Sequence, residues 1–268
     1  MTRPSTPARL VLASLSGESD AQWAHGGSDV ADLAMLGGIS LDPLSRAAAR
    51  QLVARDRSEF LPPDPLVFLD VQLAALARSP IRAGVNVRSA TVDPIADAAA
   101  LCAAHDAVLE VNAHCRQPEL CRVGCGESLL RESERLAEYV ATAAAEGATV
   151  SVKVRAEVDG VDLARVARVV DDAGAELFHV DAMDSEDVVA DVAEAAPDLW
   201  LVANNGVRDR STVEEYLDYG ADAVSIGRPS TDGRVRRRVR RAVDEWLVAH
   251  GESPEDEVAT PTSNGDPS

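Results

Sequence analysis

Residues 108–130 read VLEVNAHCRQPELCRVGCGESLL. The segment opens as a buried strand, Val108 to Asn112, and runs into a polar loop that carries three of the chain's four cysteines. A helical stretch follows at about 132–146, and then a second strand at 149–155 that contains SVKVR. Strand, loop, helix and strand make one βαβ unit, and such units build parallel sheets.

Working outward, the same unit repeats. Strands are predicted at 9–14, 32–38, 81–87, 107–112, 149–155, 176–181, 199–203 and 222–226. Helices are predicted at 42–57, 93–104, 132–146, 161–173, 185–195, 211–219 and 232–249. Asp42 is read as the N-cap of the first of these, with Pro43 in its first turn. Periodicity leaves 66–77 open between helix and strand. The strands lack polar alternation, as expected when both faces are covered. Eight strands, each followed by a helix or long loop, predict an α/β fold of one domain, a (β/α)8 TIM barrel over residues 9–249. A doubly wound sheet would need a GxGxxG turn after the first strand, and LASLSGES does not supply one. Residues 1–8 are expected to form a disordered arm and 250–268 a disordered acidic tail.

Composition narrows the function. The chain has 268 residues, 46% of them hydrophobic and 3% aromatic, which describes a globular core of small and branched side chains. No apolar run reaches the roughly 18 residues of a membrane span, and the N-terminus has no apolar core of a secretory signal. A cytoplasmic location with reduced cysteines is expected, and no membrane partner. The net charge is −19 and the pI about 4.6. Acidic residues are spread along the whole chain, and 25 of the 26 basic residues are arginine. Such a surface is of the halophilic type. It repels phosphate backbones at low salt but not in molar salt, where screening is nearly complete within about 3 Å.

In a barrel the site forms where strands end. Polar residues and glycines concentrate there: Ser14 to Gly17, Asn86 to Arg88, Asn112 to Cys115, Lys153 to Arg155, Asp181 to Met183, Asn204 to Gly206, and Gly227 with Arg228. Lys153 is the chain's only lysine. A compact point charge suits a confined site where guanidinium does not fit. Asn205–Gly206 and Gly227–Arg228 are read as backbone cradles for phosphate near helix N-termini, although simple turn chemistry explains them too. His114, Cys115, Cys121 and Cys125 invite a metal reading, but C-x5-C-x3-C lacks the C-x2-C knuckle of structural zinc and matches no common iron–sulfur spacing. No metal is expected. Cys102 is read as a helix core residue. Cys115, directly after a strand and facing Lys153, is placed to move a proton. The arginines between Arg234 and Arg241 are read as a solvated helix face with acidic partners.

VNAHCRQPEL, GCGESLL, SVKVR, VANNGV and AVSIGRPS, in this order, resemble the FMN-dependent tRNA-dihydrouridine synthases, whose layout the dihydroorotate and dihydropyrimidine dehydrogenase barrels share. The resemblance covers about residues 80–230 and, more weakly, the first strand. It implies an oxidoreductase acting on a pyrimidine C5–C6 bond, with FMN as cofactor, a donor such as NAD(P)H, and a pyrimidine substrate free or within tRNA. Lys153 would lie against the pyrimidine edge of the flavin, and Asn86 would stand where the family uses a flavin-binding Gln. Ser14 belongs to the first-strand loop on the cofactor side. Asn205, Gly206, Gly227 and Arg228 would hold the phosphate. Cys115 would be the general acid, and Asn112 and Arg155 would orient substrate. Three departures stand out. Arg116 replaces the family's Pro after Cys. Asp181-Ala182-Met183 replaces His-Gly-Arg, with His179 nearby. The chain is also expected to lack the family's C-terminal tRNA-binding helical domain. Two other readings follow: a dehydrogenase-like flavin enzyme on a free small molecule, and a barrel without redox activity that binds a phosphorylated ligand. Nothing in the sequence identifies an oligomer interface.

Overall fold

The computed structural model describes residues 8–251. Eight strands close into a parallel barrel in chain order, with β8 pairing back to β1. They are β1 (Leu10–Leu12), β2 (Leu33–Ser40), β3 (Arg82–Arg88), β4 (Val108–Asn112), β5 (Thr149–Arg155), β6 (Leu177–Asp181), β7 (Trp200–Asn204) and β8 (Ala223–Ile226). The helices are α1 (Ala21–His25), α2 (Pro43–Val53), α3 (Pro65–Leu76), α4 (Asp93–Ala104), α5 (Pro118–Cys121), α6 (Glu127–Arg131), α7 (Ser133–Ala145), α8 (Leu163–Asp172), α9 (Val188–Ala195), α10 (Arg210–Asp218) and α11 (Gly233–Ala249). The expected (β/α)8 barrel is therefore the fold.

Differences from the sequence reading have local causes. Residues 66–77 form α3, because Pro65 opens the helix and the Asp64 carboxylate accepts from the N–H groups of Leu66 and Val67. α1 was not anticipated, nor were α5 and α6 within the cysteine loop. Each is five residues or shorter, too short to show a helical period. Gly37–Gly38 was read as a strand stop but lies inside β2, at a shift of register against β3. A Cβ on Gly38 would sit 2.7 Å from Asn86 Oδ1 and 2.8 Å from Arg88 Nη2, so the glycines let β3 side chains cross this strand. The proposed arm and tail lie outside the described residues except for Ala8, His250 and Gly251. Ala8 is buried, and its carbonyl accepts from Trp200 Nε1 at 3.0 Å.

Two apolar layers hold the barrel. The larger lies between the strands and the helices, with Leu36, Val85, Val111, Val152, Val180 and Ala203 facing Leu73, Ala99, Tyr139 and Val166. The smaller fills the lower barrel interior with Val11, Leu33, Met35, Val108, Leu177 and Val202, closed below by Trp200. Above it the interior turns polar. Asn86, Glu110, Ser151, Lys153, His179 and Ser225 are all buried there. The core is thus greasy at the N-terminal end of the strands and charged at the C-terminal end, where βα loops carry the site.

Three of the six arginines of the C-terminal helix, Arg236, Arg238 and Arg240, are anchored. Arg240 pairs with Asp32 at 3.0 Å and Asp244 at 2.8 Å, and Arg238 Nε donates to the Arg208 carbonyl at 2.7 Å.

Asp42 ties α2 to the loop after β3. Its carboxylate accepts from the N–H groups of Leu44 at 2.8 Å, Ser45 at 3.1 Å and Ala90 at 2.7 Å. Replacing Asp42 with Ala removes both the cap and that tie. We expect Asp42→Ala to cost at least about 1–2 kcal/mol in urea unfolding; an unchanged midpoint would contradict this role.

Candidate functional site

Two contiguous chambers open at the C-terminal end of the barrel. The first, about 440 Å³, is lined by residues including Ser14, Lys153, Asn205, Gly206, Gly227 and Arg228. The second, about 510 Å³, is lined by residues including Arg88, Asn112, Cys115, Arg116, Lys153 and Arg155. Ser14, His114, Lys153, Asp181, Asn205 and Arg228 face both. Each chamber has the size of a small-molecule site. Nine of the ten residues singled out from the sequence line one chamber or the other.

Asn86 is the exception. It is fully buried beneath the floor, where its Nδ2 donates to Glu110 Oε1 at 2.7 Å and its Oδ1 accepts from Asn112 Nδ2 at 2.8 Å. A direct contact with a ligand in the chambers is not what this geometry supplies. Asn112 is also committed. Its Oδ1 accepts from the backbone N–H of His114 at 3.2 Å and Cys115 at 3.0 Å, which fixes the turn presenting the thiol. Asn86 and Asn112 support Cys115, and of the two only Asn112 reaches a chamber wall.

The cysteine loop folds back on the same point. The Cys115 carbonyl accepts from Glu127 N–H at 2.9 Å and from Cys121 Sγ at 3.4 Å. Gly126, at φ +62°, packs so closely that a Cβ would lie 2.1 Å from that carbonyl oxygen. Cys125 is buried against Ala48, Leu52 and Leu120, and burial pushes its thiol up to about 12. Cys102 is buried in α4, and its thiol too is pushed up to about 12. Among the described residues no three His, Cys, Asp or Glu side chains come together to hold a metal.

Lys153 lies 4% exposed at the centre, and its ammonium makes no hydrogen bond to protein among the described residues. Burial lowers its pKa, while Glu110 and Asp181 oppose the shift. Glu110 sits one layer below. Burial opposes its ionisation, but His179, Lys153 and Asn86 outweigh that and take it from 4.5 to about 2. Glu110 Oε2 accepts from His179 Nδ1 at 2.7 Å, and His179 Nε2 accepts from Ser225 Oγ at 2.7 Å. Burial and Lys153 hold His179 neutral, consistent with that tautomer. His179 therefore points into the barrel beneath the chambers and does not substitute for the family's histidine. His114, by contrast, reaches the chambers. From the β4 loop its Nε2 donates to Asp181 Oδ2 at 2.6 Å, within both chambers. Burial lowers the His114 pKa.

The two glycine turns differ from the expected helix cradles. The N-terminus of α10 is capped by the protein's own Asp209 in a reciprocal box with Thr212. A 3-10 turn, Arg228–Thr231, precedes α11. What remains is loop backbone: among the described residues the N–H groups of Gly206 and Gly227 have no protein partner, and a Cβ on Gly227 would meet open space. Asn205 holds φ +103° and its Nδ2 donates to the Met183 carbonyl at 2.6 Å.

Sequence reading passed over Glu110, Arg88 and Glu59. A charged residue in the apolar run VLEVN was the visible signal for Glu110. Arg88, ending β3, pairs with Glu59 at 2.6 Å, and nothing in the sequence announces that partner. Removing Glu110 takes from Lys153 the larger of its two compensating carboxylates and leaves buried donors of His179 and Asn86 without their acceptor. We expect Glu110→Ala to cost about 3–5 kcal/mol. Its contribution in the native protein is full above about pH 4.5 and lost as pH falls toward about 2, because the folded pKa is the lower one. Denaturant unfolding between those pH values checks both; equal stability of variant and parent would contradict the compensation.

A family model described as dihydrouridine synthase (Dus) matches residues 72–233, from α3 through β8. An uncharacterized protein of Methanocaldococcus jannaschii, MJ0144, is 26% identical over 239 residues, 85% of this chain and 91% of the relative. Among solved structures, a dihydroorotate dehydrogenase (DHODH) from Eimeria tenella superposes with a TM-score of 0.67 at 16% identity, covering 90% of this chain and 82% of that one. A tryptophan synthase chain from Pyrococcus furiosus superposes at 0.56 and 14% identity, covering 92% of this chain and all of its own. These superpositions speak for the barrel alone. The family match spans more than half of the sequence and every motif from β3 to β8, and on that ground the chain belongs to the dihydrouridine synthase family.

Proposed function

We propose that the protein is an FMN-dependent oxidoreductase acting on a pyrimidine C5–C6 bond. The observation that carries this reading is the pairing of Cys115 with Lys153. They stand at the ends of neighbouring strands, and both face the second chamber, which continues into one lined by unpaired backbone N–H groups.

The residues present fit a flavin mononucleotide. Lys153 is a buried cation without a hydrogen-bond partner among the described residues, suited to an electron-rich ring edge. Gly206, Gly227 and Arg228 offer N–H donors and a guanidinium for a phosphate, and Ser14 adds a hydroxyl on the same wall. When bound, FMN supplies hydride transfer to or from the pyrimidine ring. Cys115 Sγ holds the proton that pairs with the hydride. Asn112 fixes the backbone that aims this thiol, and Arg155 orients the ring beside it. The family likeness supports this reading for a pyrimidine within tRNA and for a free one alike, with a nicotinamide nucleotide as electron donor.

Purified protein, or protein refolded with FMN, should show the flavin absorption band and stoichiometric FMN on extraction. Folded protein that takes up no FMN would leave only a barrel that binds a phosphorylated ligand. Lys153→Ala should release the flavin; a fully loaded variant would refute its role. Cys115→Ala should keep the flavin and lose at least about a hundredfold in turnover, as removal of a general acid does.

A further inference from the structure

The second chamber runs against the charge of the chain. Acidic residues outnumber basic ones 45 to 26. Outside the site many arginines are matched to carboxylates: Arg82 to Asp106 at 3.2 Å, Arg131 to Glu127 at 2.8 Å, Arg240 to Asp32 at 3.0 Å. Six cations line this chamber, Arg57, Arg88, Arg116, Lys153, Arg155 and Arg228, against the carboxylates Glu59 and Asp181. Both carboxylates are occupied. Glu59 binds Arg88 at 2.6 Å, and Asp181 accepts from His114 at 2.6 Å.

The remaining positive charge is not neutralised by protein. Among the described residues the side chains of Arg57, Arg116 and Arg228 make no ion pair or hydrogen bond. Arg155 is 7% exposed, its nearest carboxylate is Glu127 at 3.8 Å, and its Nε has no partner. A guanidinium this buried with an unmade bond is costly unless a ligand supplies the acceptor.

The surroundings of the chamber carry the opposite sign. Glu18, Asp56, Glu157, Asp159, Asp184 and Asp187 are exposed on loops at this end of the barrel. At low salt a polyanion spread over those loops meets repulsion before it reaches the arginines. A compact anion is drawn past them into the positive interior.

We propose that the second chamber takes a small free pyrimidine bearing its own negative charge, as a carboxylate or phosphomonoester, read by Arg57, Arg116 and Arg155. This rests on the pyrimidine reading above and narrows its substrate to a free molecule.

The test is equilibrium dialysis of the full chain saturated with FMN against orotate, uridine 5′-monophosphate, uracil and an unmodified tRNA transcript. One of the two anions should bind about tenfold or more tighter than uracil, the worth of one charge-assisted hydrogen bond. Which of them binds tighter tells carboxylate from phosphomonoester. The advantage should shrink as salt rises and fall several-fold in a double Arg57→Gln, Arg116→Gln variant, in which Arg155 remains. Both arginines are exposed and line only the second chamber, so the fold and the cofactor seat are left intact. Equal binding of uracil and both anions would overturn the proposal, as would an advantage undiminished by the double substitution. A tRNA transcript that binds tighter than both anions and displaces them would also overturn it, in favour of an RNA substrate. The flavin content of the dialysed protein is read separately, so loss of the cofactor reading and loss of the anion reading are distinguishable.

Discussion

A single buried ammonium organises the upper half of this barrel. Lys153 is nearly enclosed, and water supplies little of its solvation. Burying a charge that way is tolerated only where other charges compensate it. Glu110 below and Asp181 beside it do so. Glu110 in turn needs donors, which His179, Asn86 and Ser151 provide at 2.7, 2.7 and 3.3 Å. Four successive strands, β3 to β6, therefore contribute a polar side chain to the interior because of one cation on β5. That is why the apolar packing of the lower barrel stops where it does.

The same network reaches the reactive loop. Asn86 joins Glu110 to Asn112, and Asn112 holds the backbone of His114 and Cys115. The thiol at the chamber wall is thus aimed by a chain of hydrogen bonds that begins under the lysine. Thiol and cation thus stand on rigid strand ends with loops folded around them, which fixes their relative positions. Gly126 completes it by letting the loop close on the Cys115 carbonyl.

Much of this was legible in the chain itself. Strand ends rich in polar residues marked one face, and a lone lysine within SVKVR marked its centre. The strand–helix rhythm yielded eight strands because each is a short, mostly apolar run set off by a helix or polar loop. The parts that were not legible depend on contacts distant in sequence. Asn86 looked like a ligand contact by its place at a strand end, but its amide is satisfied from β4. His114 stood in the sequence only beside cysteines whose spacing argued against a metal, and its partner Asp181 lies 67 residues away. Asp209 was not seen to cap α10, so that helix end looked open to phosphate. Glu59 lies in a loop after α2 whose path no local pattern describes, yet it neutralises Arg88.

The central claim is that the two chambers form one flavin site around Lys153. A crystal structure of the full chain grown with FMN tests it most directly. The account predicts phosphate density between Asn205–Gly206 and Gly227–Arg228, the ring edge against Lys153 Nζ, and Cys115 Sγ facing the ring across the second chamber. FMN bound elsewhere, or both chambers free of it in crystals grown at saturating FMN, would contradict it.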